Sequence, residues 1–177
     1  MAEYHYQKDK GKSKYRNVGS VRSSNAIPPT CNVYYFEMKV IDEGENGIIG
    51  IGLTSNGSKL NRMPGWNKNT IGYHGDNGKV YKGKRNGSKY GPSFGVGDVV
   101  GCGLDLKRNT VFFTKNGCSI GVAISNLPSN NSWYPTIGLH SRNEKIEVNF
   151  GQKDFAFDVS YYSGKSGVWT RKLVSDY

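Results

Sequence analysis

The sequence is poor in the residues and segments that define several large classes of protein. Its 177 residues include only three cysteines and three histidines, and no apolar run approaches the ~20 residues of a membrane helix. The N-terminus lacks the apolar core of a signal peptide. With 36% hydrophobic residues and a mean hydropathy of −0.61, the chain is expected to form one soluble, loop-rich domain.

The scarcity of cysteine and histidine argues against metal sites and disulfides. Cys31, Cys102 and Cys118 show no paired spacing, which favours a reducing compartment. No histidine has a partner at metal-ligand spacing, and no nucleophile–base pattern occurs, so we expect no metal, no cofactor and no enzymatic activity. Residues 78–84 almost match a phosphate-binding loop, but Arg85 stands where that motif requires serine or threonine.

Acidic residues are also few. The chain has 14 Asp and Glu against 24 Lys and Arg, a net charge of +10, which accelerates association with acidic partners. Many bases fall in two runs, at 8–16 and 79–89. The second run interleaves with Tyr81 and Tyr90, a combination that can also bind single-stranded nucleic acid. The preferred interpretation is a solvated basic hairpin whose tyrosines pack on neighbouring strands.

Turn signals dominate what the sequence does contain. Asn-Gly occurs five times and favours two-residue hairpin turns. Between the turns we predict strands at 33–41, 48–53, 70–74, 79–81, 99–105, 110–115, 119–124, 134–139 and 145–150. Many short strands of this kind predict an antiparallel sandwich or barrel. Its core is expected to contain Phe36, Met38, Ile51, Ile137 and one of the pair Phe112 and Phe113.

The pattern changes near the C-terminus. Trp169, Leu173, Val174 and Tyr177 share one face at helical spacing, and the preceding stretch is rich in glycine and serine. We therefore predict a domain over 1–158, a linker over 159–167 and the start of a short helix over 168–177. Trp66, in a turn-rich segment, is expected either to anchor neighbouring loops or to be buried, with burial slightly favoured.

A set of short motifs resembles the SPRY domain, and more closely the Ran-binding protein M group of that family. The resemblance covers about residues 4–158, and the C-terminal pattern is similar to the first turns of a LisH helix. The motifs are Ser20-Val21-Arg22, Tyr35-Phe36-Glu37, Asn61-Arg62-Met63-Pro64-Gly65-Trp66, Gly72-Tyr73-His74-Gly75-Asp76, Tyr90-Gly91-Pro92, Gly97-Asp98-Val99-Val100-Gly101-Cys102, Phe113-Thr114-Lys115-Asn116-Gly117, Tyr134-Pro135-Thr136-Ile137-Gly138 and Val148-Asn149-Phe150-Gly151-Gln152.

The resemblance implies a bent sandwich of two antiparallel sheets that binds proteins or short peptides through loops at one edge. It also implies a scaffold subunit of a CTLH/GID-type E3 ubiquitin ligase in the cytoplasm and nucleus. The implied partner-binding residues, expected to form one concave patch, are Arg22, Asn25, Pro28, Tyr81, Ser141 and Arg142. We expect a loop position for Tyr81 and a basic rim of Lys82, Lys84 and Arg85.

Two other functions stay open at the level of sequence. One is a secreted SPRY effector that binds host proteins, which the sequons at Asn56, Asn86 and Asn130 would tolerate. The other is a basic β domain that binds nucleic acid, for which steep salt dependence of binding is expected.

Overall fold

The chain folds as a sandwich of two antiparallel sheets. A computed structural model describes residues 18–128 and 130–163, and these form eleven strands and one short helix. The elements are β1 Gly19–Arg22, β2 Val33–Glu43, β3 Ile49–Ser55, β4 Thr70–His74, β5 Lys79–Lys82, β6 Ser88–Lys89, β7 Val99–Asp105, β8 Thr110–Lys115, β9 Cys118–Ile124, β10 Trp133–Leu139, β11 Glu144–Asn149 and α1 Ser160–Ser163. The predicted fold class is confirmed. Within the described residues, no helix has the length and apolarity needed to cross a membrane.

The strands divide into two sheets that enclose one main core. The first sheet has the order β1-β10-β3-β4-β5-β6 and the second the order β11-β2-β7-β8-β9. Side chains alternate between the two sides of a strand, so cross-strand partners share a side. The row Ile137, Ile51, Tyr73 and Val80 faces the core in this way.

The predicted core residues are buried, and Phe112 and Phe113 point to opposite sides of the second sheet. Phe36, Met38, Ile51, Ile137 and Phe113 belong to the main core. Phe112 packs instead on the outer side of that sheet, in a smaller apolar cluster.

The outer face of the first sheet is covered by the segment between β3 and β4, residues 56–69, which we call the first strap. Glycines on the outward-facing positions make room for it. A Cβ added to Gly72 would lie 2.1 Å from the Pro64 carbonyl oxygen, and one added to Gly138 would lie 2.4 Å from the Pro64 Cδ. Contacts this close are never made by real side chains, so glycine at these positions allows the strap to reach the sheet.

The strap is also joined to the free edge of the sheet. The Ser20 amide of β1 donates a hydrogen bond to the Leu60 carbonyl at 2.7 Å, and the Ser20 hydroxyl donates to the Arg62 carbonyl at 2.6 Å. The edge strand β1 is therefore partly paired, and the strap crosses the sheet from that edge towards β5.

A second strap, residues 151–163, covers the outer face of the second sheet. Phe157 and Val159 are buried there, and the Tyr162 ring stacks on Phe112 with centroids 4.1 Å apart. Val159 and Tyr162 fall in the linker predicted over 159–167, so the packed unit extends past the predicted boundary at 158. The predicted LisH-like helix over 168–177 lies outside the described residues.

Candidate partner-binding surface

The strand registers place Arg22 and Tyr81 in one row across the outer face of the first sheet. Arg22 pairs with Thr136, and the row continues through Gly52 and Gly72 to Tyr81. Four strand spacings separate the two ends of this row, about 19 Å. The two residues thus share a face but are too far apart to contact one another.

The turn that holds Ser141 and Arg142 lies at the opposite end of the sheet from Arg22. Strand β10 begins at the end of the sheet where β1 ends with Arg22, and the turn follows the last residue of β10 at the other end. The Ser141 hydroxyl donates to Glu144 at 2.7 Å and accepts from the Asn46 amide at 3.1 Å. The expected single concave patch is therefore wrong in its geometry, because these residues occupy separate regions of the surface.

Arg22 is held in a defined position. Its guanidinium carbon lies 4.3 Å from the centroid of the Tyr134 ring, and its Nη1 donates a long hydrogen bond to the Ser55 carbonyl at 3.4 Å. Cation–π contact of this kind fixes an arginine while leaving its fork of donors oriented.

The loop between β1 and β2 continues from Arg22 along the same end of the sheet. The Ile27 amide donates to the Trp133 carbonyl at 2.8 Å, which ties the loop to β10. Asn25 is exposed, and Pro28 is half-buried with its carbonyl accepting from the Cys31 thiol at 3.0 Å. Arg22, Asn25 and Pro28 therefore form one region, which we call the Arg22 region.

Tyr81 occupies a different environment from the loop position expected. It lies in strand β5, is only 7% exposed, and stacks on the His74 ring with centroids 4.2 Å apart. Its hydroxyl accepts a hydrogen bond from Asn77 at 3.0 Å. The expectation of a loop tyrosine is wrong, because the first strap and the hairpin enclose the ring and make it part of the packing.

Trp66, on the first strap, is the centre of an aromatic cluster that the sequence did not reveal. Its ring lies 5.7 Å from His74 and 6.0 Å from His140, and the Arg85 guanidinium lies 4.9 Å from its centroid. The side chain is half-buried, so it serves both as a loop anchor and as packing. His140 directly precedes the Ser141–Arg142 turn, so the cluster extends to that turn.

Burial alters the titration of both histidines in the cluster. Burial lowers the pKa of His74 from 6.5 to about 4, although the Nε2–H donates to the Pro64 carbonyl at 2.9 Å. Burial also lowers the pKa of His140. The Nδ1 of His140 and the Nε1 of Trp66 are buried without a hydrogen-bond partner among the described residues. The imidazole rings of His74 and His140 are therefore neutral at pH 7, and protonation of either would place a positive charge beside Trp66.

We predict that the cluster weakens as the pH falls. The pKa of His74 is lower in the folded state, at about 4, than its ordinary value of 6.5, so the unfolded chain binds the proton more tightly. Stability is therefore full above about pH 6.5 and declines towards pH 4, by about 1 kcal/mol per pH unit within that window. Urea unfolding at pH 7 and pH 4.5 measures the decline.

The His74→Gln variant is the control for this prediction. Burial also raises the pKa of the Asp76 carboxyl, but this group is present in both proteins. The decline between pH 7 and 4.5 should be smaller in the variant than in the wild type. Equal declines would show that His74 does not contribute to the pH dependence.

The basic hairpin exposes its charges and packs its tyrosines. Lys82, Lys84 and Arg85 are exposed, as the predicted rim requires. The Tyr90 hydroxyl donates to the Gly121 carbonyl, and its ring packs edge-on to Tyr73 with centroids 5.3 Å apart. The interpretation as a solvated hairpin with packed tyrosines is confirmed, since Tyr81 is buried and Tyr90 is half-buried against the main core.

The fold and its covered sheets match one family. The family model for the SPRY domain matches residues 33–153, and a crystal structure of a human SPRY domain superposes with a TM-score of 0.70 at 30% identity, covering 81% of this chain and 90% of the other. The chain belongs to the SPRY domain family. The SPRY domain of human HERC1 shares the fold, with a TM-score of 0.64 at 21% identity over 78% of this chain and 86% of the other.

Within that family the chain is similar to the Ran-binding proteins 9 and 10. Over 97% of this chain the identity to zebrafish (Danio rerio) Ran-binding protein 10 is 45%, and over 96% of this chain the identity to human Ran-binding protein 9 is 46%. An Arabidopsis thaliana Ran-binding protein M homolog is 42% identical over 87% of the chain. The chain spans 27%, 22% and 34% of these three relatives, so the similarity concerns their SPRY region.

Proposed function

We propose that this domain is a protein-interaction module that binds partner proteins or short peptides through the Arg22 region. The observation that carries the proposal is the placement of Arg22, held over Tyr134 and against the Ser55 carbonyl. A preorganised arginine loses little conformational entropy on binding, and arginine is among the residues that contribute most at interfaces. It can donate two parallel hydrogen bonds to a carboxylate or bond to peptide carbonyls.

The loops around Arg22 suit an extended ligand. Asn25 is exposed beside it, and the loop is tied to β10, so its backbone position is set before a ligand arrives. Binding sites formed by loops on a rigid scaffold are common for this reason.

The test is a binding measurement with peptides selected on the wild-type domain from a random display library. We expect Arg22→Ala to weaken the selected peptides by about tenfold, as for an arginine that anchors an interface. Lys107→Ala is the control, because Lys107 is exposed on the turn between β7 and β8, at the second sheet. Isothermal titration calorimetry on both variants gives the comparison. If the selected peptides bind Arg22→Ala as tightly as the wild type, the interaction surface lies elsewhere.

We further propose that the whole protein is a non-enzymatic scaffold subunit of a CTLH/GID-type E3 ubiquitin ligase in the cytoplasm and nucleus. The similarity to Ran-binding proteins 9 and 10 supports this proposal. The three cysteines are unpaired and two are buried, which suits a reducing compartment. Affinity purification of the tagged protein from its own cells should recover ligase subunits, and their absence would contradict the proposal.

A secreted effector is the second candidate. The sequon residues Asn56, Asn86 and Asn130 are all exposed in turns or loops, where a glycan can be attached. Treatment of the native protein with a glycosidase distinguishes the two candidates, since only a secreted form would lose mass.

A further inference from the structure

An extended basic surface covers the first strap and the β5–β6 hairpin. The sequence has no acidic residue in 48–75 or 77–97, whereas these stretches hold eight lysines and arginines. Seven of these eight are exposed, and we call six of the seven the basic face: Lys59, Arg62, Lys68, Lys82, Lys84 and Arg85.

The two segments that carry these residues lie side by side. The Lys84 amide donates to the Gly65 carbonyl at 3.0 Å, and a Cβ added to Gly83 would stand 3.6 Å from the Lys68 Cα. Within the strap, the Asn67 side chain donates to the Lys59 carbonyl at 3.3 Å. The charges from two distant parts of the sequence therefore form one continuous surface.

Five of the six charges of the basic face form no ion pair in the part of the chain that the structure describes. No carboxylate within residues 18–128 and 130–163 forms an ion pair with Lys59, Arg62, Lys68, Lys82 or Lys84. Carboxylates instead gather around a cleft of about 550 Å³ at one end of the sandwich, lined by Glu43, Asp76 and Asp98. Because the two signs of charge are separated, the basic face keeps a strong positive potential that attracts an acidic molecule.

The backbone beneath the face is fixed before any ligand binds. The strap is hydrogen-bonded to the edge strand through Ser20 and to the hairpin through Gly65, and the Arg85 side chain lies over the Trp66 ring. Fewer groups must be ordered on binding, which lowers the entropic cost.

We propose that the basic face docks an extended acidic segment of a partner protein, rich in aspartate and glutamate. The inference deepens the proposed function, since it assumes a protein partner, but the charges that it depends on most, at Lys82 and Lys84, lie across the sheet from the Arg22 region. Single-stranded nucleic acid fits the face less well, because its binding depends on exposed aromatic platforms. Tyr81 is 7% exposed and stacked on His74, and Arg85 covers the Trp66 ring.

The experiment uses the full chain and a labelled peptide of about twelve glutamates, roughly 40 Å when extended. Fluorescence anisotropy measures its Kd for the wild type, for the double variant Lys82→Glu, Lys84→Glu and for the control Lys107→Glu, Lys145→Glu. The control makes the same change of charge at exposed positions of the second sheet. We expect the first double variant to bind at least about tenfold more weakly and the control to stay within about threefold of the wild type, the difference between local contacts and net charge.

Backbone amide shifts in nuclear magnetic resonance spectra locate the peptide. Changes confined to 59–69 and 82–89 support the proposal. Equal losses in both double variants would overturn it, because they would show attraction to net charge alone. Tighter binding of a thymidine oligonucleotide than of the peptide would also overturn it and assign the face to nucleic acid.

The Arg22→Ala variant separates this inference from the proposed function. It should bind the glutamate peptide within about twofold of the wild type, since Lys82 and Lys84 follow Tyr81 in the chain, and Tyr81 lies about 19 Å from Arg22 across the sheet. Loss of the glutamate peptide in Arg22→Ala would show that there is one site rather than two.

Discussion

Replacing Tyr81 with alanine should lower the free energy of unfolding by about 4 kcal/mol, the scale of removing a large buried aromatic ring. The ring is 7% exposed and stacks on His74. A Cβ added to Gly87 would lie 2.7 Å from it, so the hairpin closes directly over the ring. The cavity left by alanine would lie between β5, the first strap and the hairpin. Urea unfolding followed by tryptophan fluorescence measures the change, since Trp66 belongs to the same cluster.

Tyr81→Phe is the matched control. It keeps the ring and removes only the hydroxyl that accepts from Asn77 at 3.0 Å, a loss of about 1 kcal/mol. If Tyr81→Ala were as stable as the wild type, the ring would contribute little to packing. The sequence-based prediction that Tyr81 contacts a binding partner would then be favoured again. A loss of partner binding in Tyr81→Ala can therefore be interpreted only together with the measured stability of the variant.

Replacing Glu37 with alanine should destabilise the domain by about 3 kcal/mol. The carboxylate is 3% exposed, and it accepts hydrogen bonds from the Tyr35 hydroxyl at 2.8 Å, the Ala156 amide at 3.0 Å and the Phe157 amide at 3.1 Å. Without it, two backbone amides of the second strap lose their partner in a buried site, and each such loss costs about 1–3 kcal/mol. Amide hydrogen exchange should then rise first in residues 154–162.

Glu147→Gln makes a comparable change at the surface. Glu147 is paired with Lys153 on the exposed side of β11, where an ion pair contributes about 0–1 kcal/mol. Glu37→Ala with the same small effect as Glu147→Gln would show that the second strap is held by its apolar contacts alone. Phe157 and Val159 would then be the residues that matter.

The strands could be predicted because their signals are local. Asn-Gly pairs mark turns such as Asn116–Gly117, where both residues have positive φ, and apolar residues mark the stretches between them. The opposite orientations of Phe112 and Phe113 follow from the two-residue period of a strand. The bounds of β7 and β8 and the members of the core could therefore be predicted from composition and spacing.

The arrangement of the candidate site could not be predicted in the same way. The distance between Arg22 and Tyr81 depends on three strands that come from later or intervening parts of the chain, β10, β3 and β4. Burial of Tyr81 depends on the first strap, whose path over Gly72 no local signal reveals. The alternation of glycine with apolar residues at 49–53 was the available hint, because it leaves one side of β3 without side chains.

The two straps decide which residues of the domain are free to vary. Where a strap covers the outer face of a sheet, a binding partner contacts the strap and not the strands beneath it. Exposed side chains on the first strap, such as Lys59 and Lys68, can be exchanged without repacking the core, whereas Gly72 and Gly138 beneath it cannot. Changes at such exposed strap residues leave the core and the glycines beneath the straps in place, so new binding preferences can be acquired at little risk to folding.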